Sequence, residues 1–217
     1  MKPAMLEREG FAATVLRLRG EGISDINLLT AVEQTPRSKF VAHHLLDQAY
    51  SSGTIPIECG SFMEGIDLAV RLLDRLKVTG AQRVLEVGTG SGFMTAVMAR
   101  LAERVISVER YKTLVTDAQA RLDQLGIRNV ILRHGDGMNG QPGEGTFDRI
   151  LVTAAFSSMP KIFTEQLVHN GILLAPIMVS ADRCVMMRLT RTGSRFERED
   201  LFEVPYQPII PHVAVYL

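Results

Sequence analysis

Val84-Leu85-Glu86-Val87-Gly88-Thr89-Gly90-Ser91-Gly92 is the stretch on which the fold turns. An apolar run ends in glycines at three alternate positions, and a helical pattern over residues 93–101 follows at once. That order reads as a buried strand, a tight loop and a helix, with glycines letting the backbone turn sharply and bring its amides close to a ligand. Toward the C-terminus, β-rich runs appear at residues 83–87, 104–108, 130–133, 147–153 and 172–176. Helical patterns at 93–101, 114–125 and 161–168 fall between several of them. Such alternation builds βαβ units, so the class is α/β, with a doubly wound, mainly parallel sheet and helices on both faces. The end differs: residues 184–190, a Thr192-Gly193 turn and residues 195–202 predict an antiparallel hairpin.

Toward the N-terminus the pattern is helical and interrupted. Phe11, Val15, Leu16 and Leu18 fit one side of a first helix, ended near Gly20-Glu21-Gly22. Ser24 or Asp25 can cap a second, with Ile26, Leu28, Leu29 and Val32, which stops before Pro36. A third short helix is expected to hold Phe40, Val41, Leu45 and Leu46. Residues 50–60 read as a loop punctuated by Gly53, Pro56 and Gly60. Ile66, Ala69, Val70, Leu73 and Leu76 then space out an amphipathic helix. The expected organisation is one domain over 1–217, with a helical extension and active-site loop at 1–79 and an α/β core at 80–217.

Charge and composition narrow the partners. The 24 basic and 24 acidic residues cancel, so neither nucleic acid nor an anionic membrane is expected as a general partner. No run approaches the ~18 apolar residues needed to cross a bilayer. The first twenty residues carry charges throughout, unlike a signal peptide, and the chain reads as cytoplasmic. Cys59 and Cys184 stand far apart in no metal-ligand spacing and read as free thiols. His43 and His44, adjacent on a helix, point about 100° apart and are unsuited to share an ion; no metal is expected. Met94 and Met98, four apart, read as core packing, and His134 as a loop residue shaping its turn. The sequence leaves the oligomeric state open.

Two details choose the cofactor. The dinucleotide fingerprint G-x-G-x-x-G would place its third glycine where Phe93 stands. Glu86 on the strand before the loop would be unwelcome beside a pyrophosphate, whereas a carboxylate suits the cationic methionine portion of S-adenosylmethionine. Glu109, after a second strand, can accept hydrogen bonds from both ribose hydroxyls. Asp136, after a third strand, can accept the adenine amino group.

Beyond the loop, the pieces Ser107-Val108-Glu109-Arg110, Arg133-His134-Gly135-Asp136-Gly137, Phe147-Asp148 and Val152-Thr153-Ala154-Ala155 follow in order. With Pro36-Arg37-Ser38-Lys39-Phe40-Val41 and Ile55-Pro56-Ile57 upstream, nearly the whole chain resembles the protein-L-isoaspartate O-methyltransferase family. The resemblance implies a seven-stranded Rossmann-like methyltransferase sheet with extra N-terminal helices. It also implies methyl transfer from S-adenosylmethionine to the free α-carboxylate of isoaspartyl residues in damaged proteins. The cofactor-binding set is then Glu86, Gly88, Thr89, Gly90, Ser91, Gly92, Glu109, Arg110, Asp136, Gly137 and Thr153. Ser61 and Glu64 are the catalytic candidates.

The match departs from the family at two places. Where the family reads Gly-Gln-Thr-Ile-Ser-Gln-Pro, this chain has Gly60-Ser61-Phe62-Met63-Glu64-Gly65-Ile66, so Glu64 takes the place of the active-site serine. Where the family has an arginine near the C-terminus, this chain has Pro205. An ionised Glu64 would repel an incoming carboxylate about 4 Å away by about 4 kcal/mol at an effective dielectric near 20, unless it is protonated or turned away. Losing the arginine makes the expected site less welcoming still. An altered acceptor, a hydroxyl or amine with Glu64 as general base, therefore stands as an alternative. A non-catalytic cofactor-binding protein is a third reading.

Overall fold

The computed structural model describes residues 3–215. It opens with α1 (Pro3–Gly20) and α2 (Ile26–Glu33). Of the two expected caps, Asp25 is the one that acts. Its carboxylate accepts from the backbone N–H groups of Asn27 and Leu28 at 2.9 and 3.1 Å, donors that a first helical turn leaves free. The expected third helix forms instead as two 3-10 turns, Arg37–Phe40 and His43–Gln48, with Val41 and Ala42 extended between them. Arg37, Phe40, Val41 and Ala49 are buried and Leu45 and Leu46 half-buried. On one α-helix these six would spread over about two-thirds of the circumference, so a single helix cannot turn them all inward.

The expected loop at 50–60 also takes part in a ribbon. There β1 (Ile55–Pro56) pairs antiparallel with β2 (Phe62–Met63), Ile55 opposite Met63. A turn at Glu58–Gly60 closes the ribbon, with Cys59 and Gly60 at positive φ. Strands of two residues are too short to show a period-two pattern. The next helix, α3 (Ile66–Leu76), buries the five apolar residues its spacing predicts.

Beyond residue 80 come β3 (Arg83–Val87), α4 (Phe93–Leu101), β4 (Arg104–Glu109), α5 (Lys112–Gln124), β5 (Val130–His134), β6 (Phe147–Val152) and β7 (Ala154–Ala155). They are followed by α6 (Lys161–Glu165), β8 (Leu167–Met178), β9 (Cys184–Thr192), β10 (Arg195–Glu203) and β11 (Gln207–Pro208). Seven strands form one sheet in the order β10-β9-β8-β6-β3-β4-β5. It is parallel from β8 to β5, and β9 and β10 add an antiparallel edge. The doubly wound sheet and its C-terminal hairpin are thus present.

Local bounds differ from expectation for identifiable reasons. Leu167, fully buried, leaves α6 to pair with Phe147, so the helix ends earlier than 168. Arg195 pairs with Thr192, which puts the hairpin turn at Gly193-Ser194, one residue later than expected. Strand order reverses between β3 and β6, and a crevice opens outside the carboxyl ends of strands at such a point.

Alternation along the strands decides what reaches that crevice. Val84 and Val105 join the core shared with α2, α3 and α4. Leu85, Val87, Ile106 and Val108 join the opposite core with Phe163 of α6. Period two therefore sends Glu86, Ser107 and Glu109 to the α4 side. Among the described residues no helix is long and apolar enough to cross a membrane, and no cluster of three potential ligands could hold a metal ion.

Candidate cofactor and acceptor site

A cavity of about 290 Å³ lies where β3, β4 and β6 end. The glycine loop forms its floor. Gly88, at φ 97°, leaves no room for a side chain, because a Cβ there would stand 2.3 Å from Thr153 Oγ1. Gly92 starts α4 at φ 85°, and a Cβ would press on Ala118 at 3.0 Å. Thr89 and Ser91 are buried and also line the cavity.

Glu86 lies beneath the loop rather than on the cavity wall. It is fully buried, where Oε2 accepts from Ser107 Oγ at 2.5 Å and from Thr95 Oγ1. The Ser107 hydroxyl in turn meets Thr89 Oγ1 at 2.6 Å. Burial pushes the Glu86 carboxyl up to about 8; the two hydroxyl hydrogen bonds act against that, and nearby Glu64 and Glu109 add to it. The direct contact expected between Glu86 and a cationic ligand is therefore replaced by support of the loop from below. The inward face of β3 is closed over by α4, so a strand carboxylate two residues before the loop has no path to the crevice.

One end of the cavity is acidic. Glu109 is 6% exposed and bridges two backbone amides, accepting from Gly90 at 3.0 Å and from Tyr111 at 3.1 Å. Asp136 accepts from Met138 N at 2.8 Å and from His212 N at 2.7 Å. A carboxylate has about four lone-pair sites, so each of these two keeps capacity for a ligand. Arg110 and Gly137 line the same end, with the Arg110 guanidinium 4.9 Å from the Tyr111 ring centroid. The His134 ring meets Arg110 O at 3.1 Å, which fits a turn-shaping residue.

The C-terminal segment crosses this region. β11 runs parallel to β7, with Gln207 opposite Ala154, and Ala214 N donates to Arg110 O at 3.0 Å. Gln207, Pro208, Ile209 and Ile210 thereby become cavity wall. None of these was legible as a site residue, because the return of a two-residue strand carries no local signal.

The other end holds the residues in question. Ser61, Phe62, Met63 and Glu64 line it. Glu64 does not turn away to solvent: it is half-buried in the wall. Burial pushes its carboxyl up, and the Arg37 guanidinium pulls it back down. Pro205 is exposed and outside the cavity. A positive charge is present at this end all the same, because Arg37, only 1% exposed, lines the cavity. Its Nε donates to Ala49 O at 3.0 Å, its Nη2 donates to Glu64 O, and its plane lies 4.3 Å from the Phe93 ring centroid. Nη1, buried, has no hydrogen-bond partner among the described residues. Burial lowers this arginine to about 10, and Glu64 and Tyr50 act against that. It stays charged at neutral pH. Met94 and Met98 are buried as expected, though Met94 also reaches the cavity.

A family model, Protein-L-isoaspartate(D-aspartate) O-methyltransferase (PCMT), matches residues 11–214. The chain belongs to this family. A protein-L-isoaspartate O-methyltransferase of Rhizobium meliloti is 58% identical over 93% of this chain and 99% of its own length. One from Azorhizobium caulinodans is 38% identical over the whole of both chains. A crystal structure of the Plasmodium falciparum PCMT in complex with S-adenosyl-L-homocysteine has a TM-score of 0.77, covering 91% of this chain and 97% of that one at 24% identity. Another protein-L-isoaspartate O-methyltransferase structure reaches 0.81 at 24% identity, covering 93% of this chain and 65% of the other. Those two likenesses bear on the fold, and they place the seven-stranded sheet of this chain with that of the family.

Proposed function

We propose that this chain is an S-adenosylmethionine-dependent protein-L-isoaspartate O-methyltransferase, esterifying the free α-carboxylate of isoaspartyl residues in damaged proteins. One observation carries the reading. The glycine loop, the Glu109 end and the 61–64 loop meet in a single cavity, in a chain that matches the family from residue 11 to 214.

The residues present suit the cofactor. The loop has no β-carbon at Gly88 or Gly90 to fill the cavity, an acidic end suits a nucleoside's hydroxyl and amino donors, and a buried guanidinium with one unpartnered nitrogen lines the wall. When bound, S-adenosylmethionine supplies an electrophilic methyl group on a sulfonium. Glu109 would hold the ribose hydroxyls and Asp136 the adenine amino group, with the loop from Gly88 to Gly92, Arg110, Gly137 and Thr153 completing the cradle. The acceptor needs no general base, since a carboxylate is already ionised at neutral pH. What the chain must supply is alignment and exclusion of water. Phe62, Met63, Ile209 and Ile210 form the apolar wall for that, and Ser61 adds a hydroxyl at the acceptor end.

Methyl transfer from labelled S-adenosylmethionine to an isoaspartyl peptide, with the aspartyl peptide as control, tests the proposal. Base-labile label on the isoaspartyl peptide alone is the expected result. No transfer, with S-adenosylhomocysteine binding shown in the same sample, would overturn the acceptor assignment in favour of a hydroxyl or amine with Glu64 as base. For the cofactor cradle, Gly90→Arg and Glu109→Ala are each expected to weaken S-adenosylhomocysteine binding by about tenfold or more. Unchanged affinity in both would sink the cradle.

A further inference from the structure

Arg37 lines the cavity and is buried, with two of its three nitrogens committed and the third, Nη1, buried without a partner among the described residues. Nε and Nη2 are tied to the carbonyls of Ala49 and Glu64, and Phe93 packs against the guanidinium plane. The fork therefore cannot swing, and Nη1 is held in one direction. A buried N–H donor without a partner is costly, and a water, an ion or a ligand can complete it. Among the described residues, Arg37 has no carboxylate close enough for an ion pair. An anion carried by a ligand would complete that donor and meet the buried positive charge.

Glu64 sits on the same wall and is joined to Arg37 through its own carbonyl oxygen. A fixed cation beside a fixed anion is a poor receptor for a lone carboxylate, which gains from one and is repelled by the other. It is a matched receptor for an amino acid, which is a zwitterion at neutral pH. The far end of the cavity, with Glu109 and Asp136, suits the nucleoside, so the amino-acid portion of a nucleoside–amino-acid ligand comes to lie at the Arg37 end.

We propose that Arg37 and Glu64 together receive the amino-acid head of the cofactor, Arg37 Nη1 taking its α-carboxylate and Glu64 its α-ammonium. This rests on the methyltransferase reading above and gives Glu64 a role other than base or barrier. The carboxylate of the acceptor is the rival source for the Arg37 partner, and the two are separable by experiment.

The test compares two ligands by isothermal titration calorimetry: S-adenosylhomocysteine, and 5′-methylthioadenosine, which keeps the nucleoside thioether and lacks the amino acid. Arg37→Met is expected to weaken S-adenosylhomocysteine by about 10–100-fold and Glu64→Gln by about fivefold, each leaving methylthioadenosine within about twofold. If both ligands weaken together, or neither does, the proposal is overturned. It is overturned too if S-adenosylhomocysteine binding is unchanged while KM for the isoaspartyl peptide rises, because Arg37 then serves the acceptor. Should Arg37→Met fail to fold, Arg37→Lys and Glu64→Gln carry the comparison, the lysine keeping charge but losing the fork. Failure of the wild-type protein to bind S-adenosylhomocysteine would instead remove the cofactor reading beneath it.

Discussion

Glu86 leaves Oε1 without a hydrogen-bond partner among the described residues while Oε2 holds two hydroxyls. With its carboxyl pushed up to about 8 by burial, the folded protein binds a proton that the unfolded chain releases near its ordinary pKa of about 4.3. The stability this proton brings is full below the unfolded value and is lost as pH rises through the folded one. The difference in Tm between Glu86→Gln and wild type should therefore grow in favour of the glutamine from pH 5 to pH 8.5, as read by differential scanning calorimetry. A difference independent of pH would show that Glu86 titrates normally. Gly88 makes a steric demand instead. Its φ of 97° and the 2.3 Å approach of Thr153 Oγ1 to a built Cβ predict that Gly88→Ala costs about 1–3 kcal/mol in urea unfolding. A loss below about 0.5 kcal/mol would mean that the loop relaxes freely. The glycines themselves were legible because their spacing is local; the inaccessibility of Glu86 was not, because a neighbouring helix causes it.

At the scale of elements, legibility follows length. α3 and the strands β3, β4 and β5 each carry a full period of apolar residues, and their existence and type were readable. The β1–β2 ribbon and the β7–β11 pair are two residues per strand, below any periodic signal, and exist only because a partner strand is there. The turns at 37–48 likewise follow from the need to bury Arg37, Phe40 and Ala49 on a curved path. Capping is a local effect and can be tested as one. Asp25→Ala removes both hydrogen bonds to the first turn of α2 and should lower unfolding free energy by about 1 kcal/mol in a urea titration. No measurable loss would show that water satisfies that turn as well as the carboxylate does.

Across the whole molecule, the cavity gathers walls from Arg37 to Ile210, so a ligand that fills it links segments from nearly the full length of the chain. S-adenosylhomocysteine at about 100 times its Kd should add about 2.7 kcal/mol of stability and raise Tm in a single transition. An unchanged Tm at that excess would mean that the ligand does not bind the folded protein in preference to the unfolded chain. By itself the sequence determined the α/β order, the glycine loop, the acidic strand ends and the odd residue at position 64, because residue type and spacing over a few positions encode all of these. Only the tertiary structure decided that Glu86 is sealed under α4, that Glu64 faces the cavity, that Arg37 stands beside it with a free donor, and that the C-terminal segment walls the site. The reason is physical: burial and hydrogen-bond satisfaction depend on which distant segments pack together, and no local pattern records that.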